Sequence, residues 1–169
     1  MSSLAPMVAT DRLTLVGLIH DAPLMIVLAV TGGGVASISD LLSVPGASRT
    51  VLEASVPYAG TALSDLIGYL PSQTVASDTA EAMATACLER AKQLASADIQ
   101  IAGVACTAAL ITDRQRSGDN RAFIAVAALQ GVVSSHVALE KGMNDRAAED
   151  RIVSDAVLRA IATAAKVAE

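Results

Sequence analysis

Seven apolar residues in a row, Leu24 to Val30, lie between Pro23 and the run Thr31-Gly32-Gly33-Gly34. A run that short, bounded by chain breakers and free of polar positions, predicts a fully buried strand. From Val35 to Leu42 the apolar side chains recur at helical spacing, so the glycines mark a strand-to-helix turn. Upstream, Val8, Leu13, Val16 and Ile19 fall near one face of a helix over 7–20, ended by Asp21-Ala22-Pro23. Downstream, residues 50–57 are a second strand candidate in which Pro57 marks an edge or an end. Residues 59–67 predict a short helix closed by Gly68, and Ser77 opens a longer one running to about Ala95. Ile99 to Ala105 repeats the buried-strand pattern, with Cys106 and Thr107 at its end. The polar stretch from Thr112 to Arg121 reads as a loop. Residues 122–129 and 132–140 read as a hairpin around Gln130-Gly131, and the chain from Asp145 onward as a charged, alanine-rich helix. Strands alternating with helices, followed by a late hairpin, predict an α/β fold. The expectation is one three-layer α/β/α domain over residues 1–169 with a mixed, mostly parallel sheet.

Composition narrows the partners. Hydrophobic residues make up 53% of the 169, and the mean hydropathy is +0.51. Much of this is alanine, and no apolar stretch approaches the ~18 residues of a membrane span. No basic segment precedes an apolar one near Met1, so no signal peptide is expected. These features predict a soluble, cytoplasmic domain with no membrane partner. A net charge of −5, with Tyr58, Tyr69 and Phe123 as the only aromatics, excludes the basic, stacking surface that nucleic acid requires. Cys87 and Cys106 lack metal-type spacing and are expected as reduced thiols; neither a metal nor a cofactor is implied.

Several residues have chemistry to weigh. The Thr31–Gly34 turn can present backbone N–H groups and a helix N-terminus to an anion; equally, it can be a tight packing turn. Tyr58 follows a predicted strand and either projects a hydroxyl into a site or sits as a boundary tyrosine. Cys106, at the carboxyl end of a predicted strand, is either a nucleophile or a small inert hydrophobe. Arg114 belongs to a mixed-charge loop that is either an anion clamp or solvated surface. His20 and His136 are distant from Cys106 in sequence, and His136 reads as structural. Glu149, Asp150 and Arg151 read as a solvated helix face with local ion pairs.

Four segments in order then resemble the CinA C-terminal domain family, whose enzymes are nicotinamide mononucleotide deamidases. The family's A-E-S-C-T-G-G aligns with Val27-Leu28-Ala29-Val30-Thr31-Gly32-Gly33, and its V-P-G-S-S with Val44-Pro45-Gly46-Ala47-Ser48. Its V-T-Y-S-N-E-A-K segment aligns with Val56-Pro57-Tyr58-Ala59-Gly60-Thr61-Ala62-Leu63, with Gly68 at the matching interval. A helix like V-S-x-x-V-A-x-A-M-A appears as Ala76 to Ala84. The resemblance spans roughly residues 7–165 and implies a nucleotide-sized pocket formed by Thr31, Gly32, Gly33, Ser48, Tyr58 and a turn at 104–107, with Thr107 and Arg114 as further ligand contacts.

The family's serine and lysine fall on Ala29 and Leu63, and only its tyrosine, Tyr58, is kept. Its S-G-I-A-G-P loop becomes Val104-Ala105-Cys106-Thr107-Ala108-Ala109. The resemblance therefore implies a divergent member that binds a nucleotide such as nicotinamide mononucleotide but lacks Ser/Lys-dependent deamidation. One alternative is an amidohydrolase using Cys106 as nucleophile, polarised by Thr107 or a neighbouring arginine, with Tyr58 the other candidate catalytic residue. Another is a structural homo-oligomer built on the alanine-rich helices.

Overall fold

The computed structural model describes residues 5–167; residues 1–4 and 168–169, which the single-domain expectation includes, lie outside the described residues. The opening helix α1 (Ala9–Asp21) leads through Pro23 into strand β1 (Met25–Thr31). Helix α2 (Val35–Ser43) follows the glycine turn, and a short 3₁₀ turn over Ala47–Arg49 leads into β2 (Val51–Ser55). Helices α3 (Gly60–Ile67) and α4 (Ser77–Leu94) precede β3 (Ile101–Ala109). The hairpin of β4 (Asn120–Ala128) and β5 (Gly131–Leu139) precedes the closing helix α5 (Arg146–Ala164).

These strands form a five-stranded sheet in the order β2-β1-β3-β4-β5. Pairings β2–β1 and β1–β3 are parallel; β3–β4 and β4–β5 are antiparallel. Helices α1, α2 and α5 cover one face, and α3 and α4 the other. This is the expected three-layer α/β/α architecture with a mixed sheet. β2 is an edge strand and stops at Ser55, two residues before Pro57, in keeping with the expectation of an edge or an end there.

Three boundaries differ from the sequence reading. β3 does not end near Ala105: it runs to Ala109, so residues 104–107 are strand and not a turn. Small side chains carry little strand preference of their own; here β4 supplies the ladder, pairing Cys106 with Ile124 and Ala109 with Arg121. The same pairing draws Asn120 and Arg121 into β4 and shortens the loop. The hairpin turns on Leu129-Gln130, with Gly131 at φ +141° opening β5.

The sheet's α4 face is lined by small residues. Ala29, Ala105 and Ala125 lie side by side across β1, β3 and β4, and Gly103 sits beside Val27 and Ala127. All three alanines are fully buried. The helix seats directly on this row: a Cβ built at Gly103 would stand 2.1 Å from the Ala84 carbonyl oxygen and 2.3 Å from the Leu88 nitrogen.

The opposite face is held by a charged cluster. Asp155 of α5, with its side chain 1% exposed, accepts from Arg12 Nε at 2.7 Å and from the Met7 N–H at 2.6 Å. Arg151 joins the same carboxylate at 2.9 Å and reaches Asp40 of α2. Burial by itself disfavours the charged form of Asp155. The hydrogen bonds from Arg12 and Met7, with the charges of Arg151 and Arg12, nevertheless hold its carboxyl below the usual aspartate value of 3.8.

The folded chain binds the Asp155 proton less readily than the unfolded chain. Its stabilisation is thus complete above the ordinary aspartate pKa and fades as pH falls through the lower folded value. Asp155→Asn should lower the unfolding free energy at neutral pH by about 3–5 kcal/mol, and denaturant melts should show the deficit shrinking below about pH 4. A deficit independent of pH would contradict the ionised cluster. On the other face, Gly103→Ala should cost about 1–3 kcal/mol or more through overpacking. Gly17→Ala, inside α1 with nothing within 4 Å of the added methyl, should stabilise by about 0.5–1 kcal/mol.

Candidate functional site

The glycine turn ends β1 at the carboxyl edge of the parallel strands, where an α/β sheet places its ligands. Gly34 takes φ +88° and caps α2. The first N–H groups of α2 do face an anion, but it is the chain's own. Asp150 Oδ1 accepts from the N–H of Gly34 at 2.8 Å and of Val35 at 3.2 Å, and Oδ2 accepts from Ala36 at 3.0 Å. Ser154 Oγ donates to the same carboxylate at 3.1 Å. A negative group at a helix N-terminus satisfies otherwise unpaired donors, and here α5 provides it internally.

The other glycines of the turn are packing residues. A Cβ on Gly32 would fall 1.9 Å from the Ala108 carbonyl oxygen, and one on Gly33 would meet Leu110 and Ala108 at 2.8 and 2.9 Å. They allow the turn to lie against the end of β3, and neither lines the cleft described below. Thr31 is buried and pairs with Thr107, whose own hydroxyl donates to the Thr74 carbonyl at 2.8 Å. The Thr107 hydroxyl is therefore committed to the fold. Ser48 does not join them. It lies in the 3₁₀ turn before β2, and β2 runs parallel to β1 with Val51 opposite Ile26. That places Ser48 at the amino end of the sheet, across the length of β1 from Thr31.

Tyr58 and Arg114 are brought together. With Thr112, Asp113 and Arg146 they line an open cleft of about 630 Å³ at the carboxyl edge. Tyr58 is 67% exposed just beyond β2. The rim bends on a reciprocal contact, in which Thr112 Oγ1 donates to the Arg114 carbonyl at 3.0 Å and accepts from its N–H at 3.3 Å. Arg146, in the first turn of α5, donates to the Ile111 carbonyl at 2.9 Å and to the Gly32 carbonyl at 3.1 Å. Buried Glu149 accepts from the Ile111 N–H at 2.8 Å and from Asn120 Nδ2 at 2.9 Å. The Ile111 peptide is thus held at both ends, and the glycine turn backs the cleft through Arg146 without lining it. Among the described residues no carboxylate pairs with Arg114 or Arg146. Two guanidinium groups, a phenol and a hydroxyl can hold an anionic group, and Asp113 can accept from a sugar hydroxyl.

Sequence reasoning missed Arg146 and misplaced its neighbours. Glu149 is fully buried, and Asp150 and Arg151 are half-buried, so these three are not a solvated face. The signal was present. Glu149 precedes Val153, Val157 and Ile161 by whole multiples of four residues and so lies on the apolar stripe of α5.

No nucleophile faces the cleft from the positions weighed in the sequence. Ala29 and Leu63 are buried together in the α4-side cluster with Met83, Ala84 and Ala105. Cys106 points to the other face, fully buried beside Gly34. Burial, and secondarily the charge of Asp150, pushes its thiol far up. Cys87, under α4, is pushed up to about 12 by burial and then by Glu53. Both cysteines are free, as expected. Neither histidine serves Cys106. His20 is buried at the amino end, donating from Nε2 to the Leu41 carbonyl at 2.9 Å, which leaves Nδ1 to accept from Thr50 Oγ1 at 2.7 Å. His136 lies on the α4 face, stacked on Phe123 with ring centroids 4.8 Å apart.

A larger cavity of about 740 Å³ opens at the amino end, between the hairpin and the last turns of α5. Leu24, Ile124, Val126, Val133 and Ala160 line it, and among the described residues Lys166 is its only charged one. Gln100, Gln130, Ser135 and Thr163 also line it, and it carries none of the candidate residues weighed above.

No family model matches the sequence, and no curated protein matches it. Solved structures do. The competence/damage inducible protein CihA from Agrobacterium tumefaciens is 22% identical, with a TM-score of 0.69 covering 98% of this chain and 99% of that one. A competence or damage-inducible protein from Enterobacter asburiae is 13% identical, with a TM-score of 0.70 over 92% and 96%. A competence-damaged protein (CinA) superfamily protein from Enterobacter cloacae is 15% identical, with a TM-score of 0.66 over 98% and 97%. Along nearly its whole length, the chain has the fold of the CinA superfamily structures.

Proposed function

We propose that the chain is a divergent member of the CinA C-terminal family that binds a phosphorylated nucleoside, with nicotinamide mononucleotide as the reference ligand, in the cleft of Tyr58, Arg114 and Arg146. In this reading it does not hydrolyse the amide by the family's serine and lysine route. The observation that carries the reading is the contrast between two neighbouring places. The cleft is open and lined by two guanidinium groups that have no carboxylate partner among the described residues. The positions of the family's serine and lysine, Ala29 and Leu63, are packed hydrocarbon. A phosphate dianion suits planar guanidinium donors, while hydrolysis needs an oxygen nucleophile and a base that these side chains cannot supply.

The thiol route is not adopted, because a nucleophile must be ionised and reachable. Cys106 is fully buried with its thiol pushed up, on the face of the sheet turned towards α5.

Titration calorimetry with nicotinamide mononucleotide should give saturable binding. Arg114→Ala should weaken it about ten-fold or more, the loss of one charge-assisted hydrogen bond. Ammonia release should not exceed that of a protein-free control. Absence of binding at millimolar ligand would remove the cleft as a nucleotide site, and catalytic ammonia release would overturn the non-hydrolytic reading. Iodoacetamide should modify Cys106 in the native protein more slowly than it modifies free cysteine, with full reactivity on unfolding. A fast native thiol would restore the cysteine route.

A further inference from the structure

The cleft does not stand alone. A second cavity of about 280 Å³ lies on the other side of the same rim, sharing Thr112, Asp113 and Arg114 and adding Arg116 and Lys141. Resting on the nucleotide reading of the cleft, we propose that the two cavities form one bipartite anion site for an organic ligand carrying two phosphate groups, one on each side of Arg114.

Charge is the first support. Arg114, Arg116, Lys141 and Arg146 are four of the chain's 12 basic residues, gathered on two adjoining cavities of a protein with net charge −5. Asp113 is the only acidic residue lining either cavity. Asp119 and Glu140 are exposed nearby but line neither, and Asp145 is occupied in capping α5. A local excess of positive charge against an acidic background draws a multiply charged anion to that edge.

Construction is the second support. Arg116 donates to the Leu110 carbonyl at 3.2 Å and to Asn120 Oδ1 at 2.5 Å. Asn120 is itself buried and bonded to buried Glu149. The guanidinium is therefore anchored from below by a fully satisfied network, which reduces what a ligand must order on binding. Lys141 donates to the Arg116 carbonyl at 2.8 Å, leaving two ammonium protons for an anion. Arg114, between the cavities and without a carboxylate partner among the described residues, can reach a phosphate on either side. A mononucleotide fills only one half of this arrangement.

Calorimetry at low salt with nicotinamide mononucleotide and nicotinamide adenine dinucleotide separates the two ideas. The dinucleotide should bind about ten-fold tighter. Lys141→Met should remove most of that advantage and leave mononucleotide affinity within about two-fold, while Lys141→Arg should keep it. Equal affinities, or an advantage that survives Lys141→Met, would overturn the bipartite site alone. Binding of the dinucleotide only, lost in Lys141→Met, would support it and overturn the mononucleotide as occupant. If neither nucleotide binds, the nucleotide reading of the cleft falls and the second half falls with it.

Discussion

Three carboxylates on the inward side of α5 fix how the rest of the chain is arranged. Glu149, Asp150 and Asp155 share a helix face with Val153, Val157, Leu158 and Ile161, and each is satisfied by a different segment. Glu149 takes the Ile111 N–H and Asn120, Asp150 takes the N-terminus of α2, and Asp155 takes Arg12 and the Met7 N–H. Removing a carboxylate from water costs several kcal/mol unless its oxygens find donors. Among the described residues no buried side-chain nitrogen or oxygen lacks a hydrogen-bond partner. A sliding α2, a displaced α1 or a freed loop would each strand a buried charge. The apolar contacts of α5 tolerate several packings; its acids select one.

The same constraint shapes the cleft. Arg146 lies one turn before Glu149 and Asp150, so the acids that fix α5 also fix Arg146. Arg146 and Glu149 then grip the two ends of the Ile111 peptide, immediately before Thr112, Asp113 and Arg114. A loop of mixed charge with no regular structure becomes a defined rim because its root is bonded to a helix.

Legibility in the sequence follows the range of the interactions. β1, α2, α4 and α5 were readable because local signals agree: an apolar run stopped by glycines, apolar periodicity, and Asp145 accepting from the Ala148 N–H as the cap of α5. The full length of β3 was not readable, since residues 106–109 owe their strand conformation to β4. At the site, Tyr58 and Arg114, both singled out from the sequence, line one cleft, whereas Ser48 lies at the other end of the sheet. A motif alignment orders residues along the chain and cannot say that the 3₁₀ turn before β2 lies at the far end of a parallel pair. Asp150 escaped because charge in a helix is read as solvent exposure by default. Its partners, the N–H groups of residues 34–36, are invisible to any count of side-chain charges.

Two features beside the cleft, the glycine turn and Ala29, are closed by the chain's own packing. On the α4 face, Ala29 is one of a row with Ala105 and Ala125, and the row lets α4 approach until the Ala84 carbonyl lies where a Gly103 side chain would be. A hydroxyl at position 29 would enter that apolar contact, where an unbonded polar group is costly. On the other face, Asp150 occupies the N-terminus of α2, so the N–H groups of Gly34, Val35 and Ala36 are already bonded. The cationic side chains that can meet an anion at this edge lie on the rim. Arginines and a lysine anchored by backbone carbonyls are the groups the fold places there. Such a site recognises charge and spacing, and it leaves the sheet behind it free to be packed as a hydrophobic core.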